Sequence, residues 1–239
     1  MGIVFGKTGV VEPSFEMLLS RSSASLPYEV RRYGKRFAIE TEYKASNNGD
    51  GFRALAGYIG VGTKPQNEGA GKAEKIAMTA PVITSAKEGD KIAMTAPVIT
   101  SSKGDKIAMT APVVTSSDNG DEMKTMQFIL PEEYDDISKI PKPTNPKVVI
   151  KEVPPATGAV HRFNGSVNNA LEKKKASELA HQLIEDGVDT TEEEVLQNFD
   201  MWQFHPPFTL GPMRRNEVWV PLSEAQVDEL LKKFKEEGK

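Results

Sequence analysis

Three histidines are the side chains best suited to acid–base or metal chemistry in this sequence, which contains no cysteine. Without cysteine, disulfides, thiolate metal sites and cysteine nucleophiles are excluded. The sequence also has no nucleophile elbow, phosphate-binding loop or HExxH zinc motif. Asp135–Asp136 and Glu192–Glu194 lie in polar runs, which we interpret as solvated surface. The residues therefore give little support to an enzyme.

Composition favours a soluble chain with one domain. The 239 residues are 38% hydrophobic and 27% charged, and no apolar run approaches the roughly 20 residues of a membrane span. A net charge of -4 without a basic stripe argues against nucleic-acid binding. The N-terminus lacks the pattern of a secretory signal, and the absence of cysteine suits a reducing compartment. We therefore expect a cytoplasmic protein.

Hydrophobic periodicity predicts an α+β fold, in which a curved or barrel-like antiparallel sheet has helices on its outside. Residues 1–27 are interpreted as an N-terminal lead, residues 28–239 as a single domain, and residues 74–105 as an inserted repeat segment. Helices are predicted from Phe52 to Gly60, from Ser166 to Asp186, and from Ser223 to the C-terminus, where Ser223 and Gln226 have capping-box spacing. Strands are predicted in the segments 28–43, 124–131, 147–165, 195–204 and 214–222.

One ten-residue stretch occurs three times. KIAMTAPVIT spans Lys75–Thr84 and Lys91–Thr100, and KIAMTAPVVT spans Lys106–Thr115. Each copy resembles one strand with a bend at proline, and the spacings of 16 and 15 residues are too short for a solenoid. Identical strands compete for one position in a sheet, so only the connections can select among them. Because Asn119–Gly120 suits a hairpin, we predict that the third copy enters the main sheet and that the first two form an extra hairpin or mobile loop.

The motifs KIAMTAPV, TMQFILP and PPFTLGPMRRNEVWV resemble, in order and spacing, those of the SOUL family of heme-binding proteins. The resemblance extends from Tyr28 to Leu222, and the opening MGIVFGK and the copied strand resemble plant-type cytosolic members. It implies a distorted antiparallel β-barrel of two similar halves flanked by two main helices, to which this chain adds the C-terminal helix. It also implies non-covalent binding of heme or another tetrapyrrole, in a cleft between the first helix and the loop before the last strand.

A tetrapyrrole is a flat apolar ring with two propionates, so its site needs apolar walls and basic groups at the rim. On the first helix the candidate wall residues could equally be the core face of that helix. In the late loop, apolar side chains are harder to explain by core packing. The tetrapyrrole-binding candidates are Phe52, Arg53, Leu55, Ala56 and Ile59 on the helix, and Phe208, Leu210, Met213 and Arg214 in the loop.

The charged anchors do not transfer directly from the family. The basic positions of animal members align here with Gly57 and Thr209, so Arg53, Arg214 and Arg215 are the available substitutes. The alternative for Arg214 and Arg215 is a structural ion pair with Glu217 or the sheet, and we expect this for at least one of them.

Iron ligation is the least specified feature. A histidine proposed as a ligand in the family lies in the N-terminal strands, but Tyr28–Tyr43 contains none. His161 and His181 are interpreted as ordinary polar residues, which leaves His205, beside the Pro-Pro loop, as the candidate metal ligand. Each repeat also contains one methionine, and these are interpreted as packing residues: Met78, Met94 and Met109.

Three functions stay open at this point. The favoured one is a cytosolic carrier or buffer of heme and related tetrapyrroles, with heme or porphyrin as its partner. The alternatives are a tetrapyrrole-processing enzyme on a ligand-sensing barrel, and a protein-interaction module that presents the copied hairpins.

Overall fold

The computed structural model describes residues 11–69, 72–86, 123–205 and 209–236. Within them the chain forms eleven strands and four helices. The helices are α1 (Asn48–Ile59), α2 (Asn169–Glu185), α3 (Glu192–Asn198) and α4 (Glu224–Glu236). The strands are β1 (Phe15–Arg21), β2 (Tyr28–Tyr33), β3 (Arg36–Lys44), β4 (Asn67–Glu68), β5 (Val82–Ala86), β6 (Met123–Ile129), β7 (Lys142–Pro143), β8 (Val149–Val153), β9 (Ala156–Asn164), β10 (Asp200–Gln203) and β11 (Arg215–Leu222).

Nine of these strands form one antiparallel sheet in the order β1-β2-β9-β11-β10-β5-β6-β3-β8. The two halves of the chain contain equivalent elements: β2, β3, α1, β5 and β6 correspond to β8, β9, α2, β10 and β11. If β1 is left aside, the equivalent strands follow in the same order from the two edges of the sheet toward its centre, once β2 and β8 are taken as the outermost pair. The two halves meet at β5 and β10, and each gives its first strand to the other half, because β2 pairs with β9 and β8 pairs with β3.

All the large helices pack on one face of the sheet, which we call the helix face. Alternation along the strands places Ile39, Met126 and Phe128 under α1, and Met201 and Val218 in the core with α2 and α4. The opposite face contains an aromatic cluster of Tyr33, Trp202, Phe204 and Trp219. The two tryptophan rings are stacked, with centroids 5.0 Å apart. Both faces of the sheet are therefore buried.

The predicted α+β class and the three predicted helices are confirmed. Gly60 ends α1 with a left-handed φ of 82°, and Ser223 and Gln226 form the predicted capping hydrogen bonds. The sheet is not closed into a barrel among the described residues, where β1 and β8 are its edges. Part of the N-terminal lead forms β1, and residues 192–198 form a helix rather than the beginning of a strand at Val195.

The prediction that the first copy forms an extra hairpin or mobile loop outside the main sheet is wrong. The first copy supplies β5, which lies in the centre of the sheet between β6 and β10. The second and third copies lie outside the described residues. The error has a physical cause, because strand alternation is identical in identical copies and the choice depends on the long connections around them.

Candidate functional site

Helix α1 directs most of its apolar side chains into the core. Leu55 and Ile59 are 0% and 2% exposed, and they pack in the same cluster as Ile39 and Phe128 of the sheet. Ala56 is also buried. These three predicted site residues therefore hold α1 on the sheet, and a ligand on the surface would meet other side chains first.

The surface side of α1 carries the other two predicted residues. Phe52 is half-buried, with its ring 5.5 Å from that of Phe128, and Arg53 is exposed and paired with Asp50. At Gly51 the helix approaches β3 so closely that an added Cβ would lie 3.0 Å from the ring of Tyr43. This close approach fixes Phe52 at the edge of the core.

The late loop exposes its apolar side chains. Leu210 and Met213 are 51% and 42% exposed; Leu210 precedes a short helical turn, Gly211–Met213, and Met213 ends it. The Arg214 Nε donates a hydrogen bond to the Thr209 carbonyl (2.7 Å), and its Nη1 donates to the Ser166 hydroxyl (3.3 Å). The loop is thus attached to the turn that precedes α2. Phe208 lies outside the described residues.

A chain of contacts connects α1 with this loop across the helix face. Lys124 of β6, directly opposite Tyr43 of β3, donates hydrogen bonds to Glu172 (2.8 Å) and Asn169 (3.1 Å) in the first turn of α2. Burial, and then the nearby Glu172 carboxylate, raise the pKa of Tyr43. Because Ser166 stands three residues before α2, the same corner of the fold supports Arg214.

The two positions that align with the basic anchors of the family are both buried. Gly57 lies against the Gln66 side chain, which an added Cβ would approach to 3.2 Å. Thr209 is buried, and its carbonyl accepts the hydrogen bond from Arg214. Of the predicted substitutes, Arg53 lies exposed on α1 and Arg214 lies half-buried in the late loop.

Arg215 has a structural role, which confirms the expected ion pair. Its guanidinium contacts Glu217 (2.8 Å) and Glu12 (2.9 Å) and lies 3.8 Å from the centre of the Phe204 ring. Glu217 is completely buried and also pairs with Arg31 at 2.8 Å. Burial alone would lower the pKa of Arg31, but the Glu217 carboxylate outweighs it and the pKa is raised.

The histidines are engaged by the protein itself. His205 Nδ1 accepts a hydrogen bond from the backbone N–H of Arg215 (3.1 Å), an arrangement that places the proton of a neutral ring on Nε2. A ligating nitrogen needs a free lone pair, so His205 would have to give up this bond before it bound iron. His161 Nδ1 lies 2.8 Å from the Pro27 carbonyl, and His181 lies 3.2 Å from Glu192. Burial lowers the pKa of His161.

Metal binding finds no other support in the parts of the chain that the structure describes. No group of three or more histidine, aspartate or glutamate side chains is arranged to hold an ion there. Met78 packs in the core under α1, as expected for a packing residue, while Met94 and Met109 lie outside the described residues. No helix in those parts has the length and apolar character that crossing a membrane requires.

Comparison with known proteins identifies the family. The model described as SOUL heme-binding protein matches residues 10–105 and 100–221. The chain belongs to the SOUL heme-binding protein family. Binding, rather than catalysis, is what this family description names, and no curated protein matches the chain.

Several solved structures are similar to this chain in backbone structure at low sequence identity. The C-terminal domain of EcmrR is 9% identical, with 83% of this chain and 98% of that chain covered and a TM-score of 0.47. A hydrolase from Listeria innocua is 12% identical, with 82% and 91% covered and a TM-score of 0.47. SAV2435 bound to tetraphenylphosphonium is 10% identical, with 83% and 95% covered and a TM-score of 0.36. At these identities and TM-scores the likenesses carry no argument about function.

Proposed function

We propose that this SOUL-family chain binds heme and related tetrapyrroles non-covalently, on the surface between α1 and the late loop, and acts as a cytosolic carrier or buffer. The observation that carries the proposal is the exposure of Leu210 and Met213, two large apolar side chains three residues apart on a loop fixed by hydrogen bonds. Contiguous exposed apolar patches mark ligand-binding surfaces, and in this proposal the two side chains form such a patch.

The groups at this surface fit the two chemical parts of a tetrapyrrole. Leu210, Met213 and the edge of Phe52 offer apolar contact to the ring. Arg53 and Arg214 offer guanidinium groups to the propionates, which such forked cations bind well. Leu55, Ala56 and Ile59 support Phe52 from within the core. A bound heme would bring an iron centre to this surface.

Recognition in this proposal rests on the ring and its propionates, and not on the iron. The hydrogen bond from Arg215 to His205 Nδ1 opposes axial ligation by His205. We therefore expect hemin and metal-free protoporphyrin to bind with similar affinity, and His205→Ala to change hemin affinity by less than about threefold. A loss of hemin affinity in that variant, with protoporphyrin binding unchanged, would restore His205 as an iron ligand.

Titration of hemin into the Met213→Glu variant tests the site. A carboxylate placed against the ring should weaken hemin and protoporphyrin binding at least tenfold, about 1.4 kcal/mol. The matched control is Ile137→Glu, because Ile137 is 59% exposed and lies outside the proposed site. Equal affinities for the two variants would reject this surface. Leu55→Arg is unsuitable for the purpose, since a charge at a fully buried position would disturb the core.

A further inference from the structure

A cavity of about 290 Å³ lies at the end of the sheet, where β2 turns into β3. Its walls are Val11–Ser14, Gly34–Phe37, Thr79, Ile129–Glu132 and Tyr134–Asp135. None of these residues belongs to the proposed tetrapyrrole site. An apolar cavity of about 150 Å³ is enough to bind benzene, so this volume suits a molecule with one ring and is small for a porphyrin.

Most charged side chains in the cavity wall already have polar partners. Glu12 pairs with Arg215 (2.9 Å), Asp135 with Lys139 (2.6 Å) and Lys35 with Glu152 (4.0 Å). Glu132 accepts hydrogen bonds from the hydroxyl (2.8 Å) and backbone N–H (3.3 Å) of Ser14. Because the Ser14 groups are neutral, two charges in the wall remain without an ion pair, those of Glu132 and Arg36.

Arg36 forms no salt bridge among the described residues, although the charge of Asp200 acts on it from a distance. Its Nε and Nη1 are buried and have no hydrogen-bond partner, and its guanidinium lies 4.6 Å from the centre of the Tyr33 ring. Burial lowers the pKa of Arg36, although an arginine remains charged under ordinary conditions. The nearby Asp200 does not form an ion pair with it and instead accepts a hydrogen bond from Ser85 (2.6 Å).

Tyr33 also contacts the ring of Trp202, at 5.3 Å, and the Trp202 side chain interacts with Asp200. Neither aromatic residue lines the cavity, so among the described residues Arg36 alone brings unpartnered buried donors to this wall. Buried donors without partners are costly, and a buried unpaired charge is more costly still. Such groups are typical of places where a ligand completes the hydrogen bonds.

We propose that this cavity binds a small organic carboxylate, whose carboxylate pairs with Arg36 while its apolar part contacts Phe37, Ile129 and Leu130. The planar guanidinium matches a carboxylate with two parallel hydrogen bonds. Apolar walls favour an acid with a hydrophobic body over inorganic phosphate or sulfate. This site is separate from tetrapyrrole binding and does not depend on it.

Benzoate, with benzamide as its neutral isostere, is the probe for this site. At a benzoate concentration 100 times Kd, the Tm of the full chain should rise by roughly 5 °C or more, while benzamide and inorganic phosphate should have little effect. Calorimetric titration should give a single benzoate site. No rise in Tm with benzoate, or an equal rise with benzamide, would overturn the proposal.

Arg36→Met is the decisive variant. It should abolish benzoate binding, and without ligand its Tm should equal or exceed that of the wild type, because the change removes two buried donors that have no hydrogen-bond partner. A purely structural Arg36 would give the opposite Tm change. Lys35→Met, in the same wall, is the matched control and should keep benzoate affinity within about twofold. Retained benzoate binding in Arg36→Met would refute the assignment.

Two further measurements complete the test. If Arg36→Met does not fold, Arg36→Lys keeps the charge but not the fork, and it should weaken benzoate binding at least tenfold; unchanged affinity would overturn the proposal. Hemin affinity should be the same in all these variants, so failure of the benzoate site leaves the tetrapyrrole site untouched and the converse also holds.

Discussion

Replacing Glu217 by glutamine should be among the most damaging single changes to the stability of this fold. The carboxylate is completely buried and accepts hydrogen bonds from Arg31 at 2.8 and 3.3 Å and from Arg215 at 3.0 and 2.8 Å. Glutamine has nearly the same volume, but it leaves two guanidinium groups beside a neutral amide. Breaking a buried ion pair by removing one partner costs about 3–5 kcal/mol.

Urea denaturation measures this loss. With a slope of about 2 kcal/mol per molar urea, the unfolding midpoint should fall by about 2 M. The matched control is Glu16→Gln, because Glu16 pairs with Arg32 at 3.4 Å on the surface, where both side chains are largely exposed. That change should cost less than about 1 kcal/mol.

A double variant separates the lost charge from general disturbance of the core. Arg31→Met combined with Glu217→Met removes both charges, and Arg215 keeps its contact with Glu12. It should be more stable than Glu217→Gln, because an apolar pair avoids a buried Arg31 cation that keeps only its contact with the half-exposed Glu29 (2.7 Å). If Glu217→Gln unfolds within 1 kcal/mol of the wild type, this account of the network is wrong.

Two other predictions concern residues of the central strands β5 and β10. Burial raises the pKa of Asp200 from its usual value of 3.8 to about 6, so the folded state retains a proton that the unfolded state has lost, and the free energy of unfolding should fall as pH rises from about 4 to about 6. Asp200→Asn should flatten this dependence. If the free energy of unfolding of the variant changes with pH as much as that of the wild type, the prediction is wrong. Ile83→Asp, in the first copy of the repeat, should cost about 3 kcal/mol or more, because Ile83 is buried in the aromatic cluster. Ile99→Asp makes the same change in the second copy and should cost less. If urea unfolding gives the same loss of stability for both variants, the first copy does not alone occupy the place between β6 and β10.

Local signals predicted the helices and strands that depend on them. The glycine after α1 and the capping residues of α4 act within one turn of the helix. The sequence alone therefore locates the end of α1 and the beginning of α4. Helix α3 was missed although Thr191 and Glu194 form a capping box, because the acidic run was interpreted as solvated and the apolar residues from Val195 suggested a strand. Strand β1 is exposed along much of its length, which leaves a weak alternation to detect.

The candidate site was predictable in composition but not in orientation. The proline-rich loop does expose Leu210 and Met213, whereas Leu55 and Ile59 face the core, a choice that depends on how α1 rotates on the sheet. The unpaired state of Arg36 was beyond sequence reasoning, because it depends on which side chains from distant segments approach it.

Because each half of the chain places its first strand beside a strand of the other half, backbone hydrogen bonds connect the two halves at three pairs of strands. A protease cut in the connection between β6 and β8 would break the backbone but leave the pairs β2–β9, β3–β8 and β5–β10 intact. The nicked molecule should migrate as one particle until denaturant is added, and neither fragment produced by itself should form a stable sheet.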